Sequence, residues 1–429
     1  MLDKRDFLKL AAGGALGATA MSFYSSEKKT QSQPSSQANA LNNIAKDMTP
    51  ISVEERKARV LKLQDFMQKA GIGAVIIEPG SSMVYFSGVR WWRSERLTAL
   101  IIPAEGEIGF VTPYFEEPSV RESMTFGDDV RTWHEHENPF TQVANIIKDR
   151  KVKHTTIAFE DTVRFFVQNG VNTALPSYTT VSARAAILSC RMYKSAHEIT
   201  LMRKANEITL TAYEYVHKNL KIGMTRGDIS GLMASAQRAL GGTHLFGMAL
   251  IGESSAYPHG SGKTKPLEEG DVLLMDSGAE VLDYESDISR TFIIGEPTKR
   301  QRTIWETVRK GQQIAFDTAT LGTETGAVDD AVRAYYESLG FGPGYATPGL
   351  SHRTGHGIGM DGHEMVNFVH GEATPLAPGM CFSNEPGIYI YGEFGIRLED
   401  CMYMTEGGMR WFTEPPASLD NPIGSMGAL

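Results

Sequence analysis

The chain has 429 residues and a formal net charge of −9; at about 150 residues per domain, this length predicts two or three domains. The negative balance, with no cluster of Lys and Arg, argues against nucleic acid and anionic lipid surfaces as partners. Apolar residues make up 41% and charged residues 22%, as in ordinary globular proteins; the three cysteines, Cys190, Cys381 and Cys401, offer neither a disulfide framework nor zinc-ribbon spacing, and no apolar run reaches the roughly 18 residues of a membrane span.

Residues 1–30 read as an export signal. Lys4, Arg5 and Lys9 precede a weakly apolar stretch rich in Ala and Gly, and Ala18-Thr19-Ala20 supplies small residues for cleavage. The order resembles a twin-arginine signal with Lys4 in place of the first arginine. The other reading is a frayed, weakly amphipathic N-terminus. Export would place the protein in the periplasm, and a non-functional signal would leave it in the cytoplasm. Residues 31–50, rich in Ser, Gln and Asn, predict a flexible linker.

A small α/β domain is predicted over 51–188. Val60, Leu61, Leu63, Phe66 and Met67 recur at helical spacing over 53–70, before Gly71 and Gly73. Short buried strands are predicted at 74–77, 98–102, 108–111 and 155–159. Strands interleaved with helices make this an α/β unit. The texture then changes, and residues 189–429 predict an α+β domain. Ile199, Leu201, Met202, Ala205 and Ile208 stripe a long helix over 194–219. Thr225 and Asp228 make a capping box for the next helix. Helices also fit 299–321 and 326–339, and strands fit 272–276, 286–294, 380–389 and 395–404.

The strands of this second domain carry acidic residues. Asp276 is predicted at the end of one strand and Asp287 at the start of the next, so that a hairpin would set the two carboxylates side by side. Either alone could simply cap a turn. His356 lies in Thr354-Gly355-His356-Gly357-Ile358-Gly359, predicted as a glycine-rich turn that leaves the ring accessible. His363 and Glu364 follow. Glu385 and Glu399 each interrupt an apolar strand, which is costly unless the carboxylate is paired or metal-bound. Arg397 and outside lysines are the alternative partners, and Arg397 cannot serve every carboxylate. Four carboxylates and one imidazole favour hard or borderline divalent ions, Mn²⁺ first, with Co²⁺, Zn²⁺ or Fe²⁺ as alternatives. Five side chains exceed one catalytic zinc and suit a two-metal site, whose chemistry is hydrolysis of an amide or ester.

These residues resemble the pita-bread metallopeptidases: methionine aminopeptidase, aminopeptidase P, prolidase and their metal-free relative creatinase. The motifs are Asp276-Ser277-Gly278-Ala279, Tyr284-Glu285-Ser286-Asp287, Gly355-His356-Gly357, Glu385-Pro386-Gly387 and Arg397-Leu398-Glu399-Asp400, within about 190–415. Tyr85-Phe86-Ser87-Gly88 resembles a creatinase-type N-terminal domain. The resemblance implies a C-terminal pita-bread domain behind a smaller α/β domain. It also implies a proline-specific exopeptidase, an Xaa-Pro dipeptidase or aminopeptidase P, acting on small peptides as a homodimer. Asp276, Asp287, His356, Glu385 and Glu399 would hold two divalent ions, with Asp287 and Glu399 bridging. Glu385 would also orient the attacking water and deprotonate it to the metal-bridging hydroxide. His259 would line the site, and His363 would contact substrate and the tetrahedral intermediate. Arg397 and Tyr389 would support the ligands and the pocket. All five ligands are present, which argues against a creatinase reaction and against a non-enzymatic binding module.

Two departures bear on specificity. His363-Glu364-Met365-Val366 lacks the family's proline after the glutamate. Many prolidases carry an arginine between the second histidine and the first metal glutamate, whereas 364–384 has no Arg or Lys here, leaving His370 as the basic candidate. The loop Arg90-Trp91-Trp92-Arg93-Ser94-Glu95-Arg96 could instead supply a cation to a neighbouring subunit's site, or it could be an aromatic patch packed at a dimer interface. A metal-dependent hydrolase or lyase of a small non-peptide zwitterion is the alternative function on this scaffold.

Overall fold

Residues 41–428 are described by a computed structural model; the predicted export signal and residues 31–40 of the predicted linker lie outside the described residues. Residues 41–50 are not a free linker. Leu41, Ile44, Ala45 and Met48 pack on the apolar core, and Ile44 N donates to Leu240 O at 2.9 Å. Their i, i+3, i+4, i+7 spacing is an amphipathic pattern that the polar composition of the segment hides.

The helix Val53–Ala70 starts at a Ser52/Glu55 capping box and stops at Gly71, whose φ of 71° suits glycine. The N-terminal sheet contains β1 (Ala74–Ile77), β2 (Ala99–Pro103), β3 (Gly109–Pro113), β4 (Asp129–Trp133), β5 (Thr156–Phe159) and β6 (Thr179–Ser182). Their order is β4-β3-β2-β1-β5-β6. Strands β1 to β3 are buried along their whole length, which explains their unbroken apolar runs. Strands β4 and β6 escape sequence reading because half-exposed polar and β-branched residues fill them. The predicted boundary at 188/189 falls inside the helix Arg184–Arg191; the chain turns only at 192–195, before the helix Ala196–Asn219 with its Ser195/Glu198 capping box.

In the second domain, β7 (Thr243–Ile251), β8 (Val272–Val281), β9 (Tyr284–Glu285) and β10 (Ile288–Ile293) form a sheet ordered β10-β8-β7, with β9 paired to β8. The other sheet holds β11 (Gly355–Gly357), β12 (Glu364–Phe368), β13 (Cys381–Asn384), β16 (Asp400–Thr405) and β17 (Gly408–Trp411), with β14 (Gly387–Ile390) and β15 (Phe394–Arg397) as a separate hairpin. Helices Ala196–Asn219, Arg226–Ala239, Lys299–Thr318 and Thr325–Ser338 pack on this core. An isolated antiparallel bridge between Ser289 and Glu399 joins the two halves.

Three expectations need correction. Asp276 stands in the middle of β8, which continues past it to Val281. The predicted strands 380–389 and 395–404 are each broken, at 385–386 and at 398–399. Pro386 has no N–H to continue a ladder, and each break turns a glutamate out of the sheet. His356 sits on β11 rather than in a turn, and its ring is buried. Gly355 there lies so close to Ser383 that a Cβ would come within 2.1 Å of its carbonyl oxygen.

Candidate metal centre

Adjacent β-strands explain how acidic residues so far apart in sequence come together. In the β8–β10 ladder Ser289 opposes Asp276 and Ile288 opposes Ser277, so Asp287 enters from the residue just before β10. The Ser289–Glu399 bridge carries Glu399 alongside them. Asp276, Asp287 and Glu399 bring ligand atoms within 4.8 Å of one another, as do His356, Glu385 and Glu399. Glu399 belongs to both groups, the arrangement a shared ligand between two cations requires. Asp287, His356 and His363 make a third such group, and the His356 and His363 rings meet edge-on at 4.2 Å.

His356 Nε2 lies 3.4 Å from Glu385 Oε1, 3.6 Å from Asp287 Oδ2 and 3.9 Å from Glu399 Oε1. Its Nδ1 is 3.1 Å from Gly357 O, so Nδ1 carries the proton and Nε2 offers a lone pair to the cluster. Burial and the neighbouring His363 hold His356 well below the usual imidazole range. Burial, reinforced by Glu399 and Asp276, drives Asp287 well above the carboxylate range. Glu399 is driven up likewise, by burial with Glu385 and Asp276. Burial and the nearby Asp276 push Glu385 up to about 7, against the pull of Arg397. Asp276 Oδ1, Asp287 Oδ1 and Glu399 Oε1 are buried without a hydrogen-bond partner. Orphaned carboxylate oxygens crowded around a neutral imidazole fit divalent cations, which would meet the unpaired charge.

Arg397 organises the back of the site. Its Nη2 lies 2.8 Å from Asp276 Oδ2, Nε donates to Ser289 Oγ at 2.9 Å, and Nη1 donates to Tyr389 OH and to Pro258 O at 3.0 Å. Ser289 Oγ in turn donates to Glu399 Oε2 at 2.8 Å. Tyr389 is fully buried and is not part of the cavity wall; it acts on the site through Arg397 and His352.

The cavity over this cluster has a volume of about 380 Å³. Besides the five acidic and imidazole ligands, its wall includes His259, His363 and Arg397, and also His352, Arg353, Tyr345, Pro258 and Val369. His352 and Arg353 were missed in the sequence, although Ser351-His352-Arg353-Thr354 directly precedes the glycine-rich motif. The cavity wall takes a cation, Arg353, from three residues upstream of His356. His352 Nε2 pairs with Tyr389 OH at 2.8 Å, and burial with the neighbouring Arg397 lowers its pKa to about 3.

Other candidates lie elsewhere. His370 is an exposed residue paired with Asp330 at 2.7 Å and is not part of the cavity wall, where its neighbour Val369 takes that place. Trp91 and Trp92 stack on each other at 4.6 Å, and Arg93 donates to Pro79 O at 2.8 Å and to Thr162 O at 3.0 Å. None of the three lines the cavity of their own chain. Arg90 pairs with Asp283.

Fold and site together define a metal-dependent hydrolase of the pita-bread architecture. Residues 200–406 match metallopeptidase family M24, and residues 59–193 match the creatinase/prolidase N-terminal domain. An Xaa-Pro dipeptidase of Lactobacillus delbrueckii subsp. lactis is 30% identical over 372 residues, covering 83% of this chain and 97% of the relative. The crystal structure of dipeptidase PepE from Mycobacterium ulcerans superimposes with a TM-score of 0.80 at 30% identity, covering 86% of this chain and 99% of that one. A recombinant prolidase from Thermococcus sibiricus gives a TM-score of 0.76 at 28% identity, covering 84% and 97%. The chain belongs to the M24 metallopeptidases, in their prolidase-like branch with a creatinase-type N-terminal domain. Among the described residues, no helix is long and apolar enough to cross a membrane.

Proposed function

We propose that the protein is an Xaa-Pro dipeptidase that uses two divalent ions, Mn²⁺ foremost, to hydrolyse the bond before proline. The observation that carries the dipeptide reading is Arg353 on the cavity wall beside the ligand cluster. A guanidinium there offers the free carboxylate of a C-terminal proline a charged, bidentate partner. Aminopeptidase P activity would need that end of the cavity to accept an uncharged peptide bond instead.

Asp276 would help hold one ion and His356 and Glu385 the other, with Asp287 and Glu399 shared between them. Bound there, the ions would supply Lewis acidity and lower the pKa of water. Glu385 is placed to take a proton from water and to deliver one to the leaving proline nitrogen. His259 and His363 face the carbonyl oxygen of the scissile bond as hydrogen-bond donors. Arg397 orients Asp276 through its Nη2 contact with Oδ2, and Tyr389 and His352 hold Arg397 in turn.

The test is hydrolysis of an Xaa-Pro dipeptide and an Xaa-Pro-Yaa tripeptide, side by side with Mn²⁺, by the wild type and by Arg353→Ala. Cleavage of the dipeptide, with KM raised at least tenfold in the variant, supports the reading. Preferred cleavage of the tripeptide overturns it in favour of aminopeptidase P. Bound metal with neither peptide cut would point to a small non-peptide zwitterion as the substrate. Export through residues 1–30 and homodimerisation through the exposed Trp91–Trp92 loop complete the proposal.

A further inference from the structure

A buried charge cluster at the junction of the two domains has no part in the chemistry above. Arg191 ends the last helix of the N-terminal domain and is 8% exposed. Its Nη2 lies 2.5 Å from Glu364 Oε1 and 2.8 Å from Asp361 Oδ2. Its Nη1 donates to Ser81 Oγ at 2.8 Å and to Ser82 Oγ at 2.9 Å. Ser81 Oγ donates to Asp361 Oδ2 at 2.6 Å. Lys194 Nζ holds the other Glu364 oxygen at 2.8 Å, and Met360 N donates to Glu364 Oε1 at 3.0 Å. Arg191 thus ties Ser81 and Ser82 of the N-terminal domain to Asp361 and Glu364, in the segment 360–364 that carries His363.

His363 needs such support. Its ring has no hydrogen-bond partner among the described residues, and it borders two cavities at once. One is the metal cavity; the other, of about 240 Å³, lies at the domain junction. Apart from its edge-on contact with the His356 ring, the ring depends on its backbone to hold it in place, and a displacement of about 1 Å in a catalytic donor can cost a factor of about 100 in rate. We infer that Arg191, with Asp361 and Ser81, is a positioning group for His363, so that docking of the N-terminal domain sets the geometry of the active site. The inference rests on the reading of His363 as a substrate-contacting donor.

The half-buried partners Ser81 and Asp361 give the cleanest test. In the full chain loaded with Mn²⁺, Ser81→Ala and Asp361→Ala should each lower kcat on an Xaa-Pro dipeptide by about fivefold to twentyfold. KM, metal content and melting temperature should stay near wild type. Each substitution should add no further loss in a His363→Ala background, because its effect runs through that ring. Amide hydrogen exchange over 357–366 should quicken in both variants. For Arg191, Arg191→Lys should retain more activity than Arg191→Met. Losses of equal size with and without His363, or unchanged exchange in both the Ser81 and Asp361 variants, would overturn the inference. Should the wild type cut no Xaa-Pro peptide, the functional proposal fails, and the exchange measurement alone still decides this one.

Discussion

At the scale of single residues, the site holds two kinds of buried carboxylate. Asp287, Glu385 and Glu399 are driven upward by burial and by one another, the electrostatic condition of a place built for cations. Glu364 is the opposite case: although burial raises it, Lys194 and Arg191 lower its pKa to about 2. Glu385→Ala should reduce turnover by at least about 1,000-fold with the circular dichroism spectrum unchanged, and ordinary turnover would remove Glu385 from the mechanism. The Glu364 pair predicts a pH dependence of stability. Its folded pKa lies below its ordinary value of 4.5, so its contribution is complete above that value and is lost as pH falls toward 2. Urea denaturation of wild type and Glu364→Gln should therefore show a gap of about 3–5 kcal/mol near neutrality that shrinks across this interval. The ligand residues were legible because a carboxylate inside an apolar run is conspicuous. Arg353 and His352 were not, since nothing local tells a basic residue on a cavity wall from one in solvent.

At the scale of elements, the strand breaks matter most. Continuous strands through Glu385 and Glu399 would alternate their side chains between the faces of one sheet. The interruptions instead place Glu385 between β13 and β14 and Glu399 between β15 and β16, where both carboxylates turn to the same cavity. Strand β11 reaches this cavity by close approach to β13, which Gly355 permits. Gly355→Ala would drive a methyl group to within 2.1 Å of Ser383 O. It should cost about 1–3 kcal/mol and lower the bound metal, as read by thermal unfolding and by metal analysis of the purified variant. The helices were legible because apolar stripes and caps are local signals, as in the stripe over 194–219 and the cap at Thr225/Asp228. Strand ends were not, because tertiary pairing decides where a ladder stops.

At the scale of the whole molecule, the ligands come from both halves of the catalytic domain, so cations held there should cross-link the fold. Removal of metal with EDTA should abolish hydrolysis and lower the melting temperature by several degrees, and Mn²⁺ should restore both. An unchanged melting temperature would mean that the ligand cluster contributes nothing to holding the halves together. The expected pairing of two copies is checked by sedimentation: a species of twice the chain mass, returned to a single-chain species by Trp92→Asp, supports the aromatic loop as the contact. A single-chain species in the wild type would leave that loop an exposed patch.

The family, the two-domain order and the five candidate metal ligands could be read from residue order alone, because motif spacing and costly buried charges are written in it. Tertiary structure decided the rest. It packed 41–50 onto the core, gave Arg353 rather than His370 to the cavity, kept Trp91, Trp92 and Arg93 out of the cavity of their own chain, and tied Ser81 to the loop of His363 across 280 residues. Each depends on contacts between segments far apart in the chain, where the free energy of burial and charge pairing belongs to the pair and neither partner's local sequence reveals it.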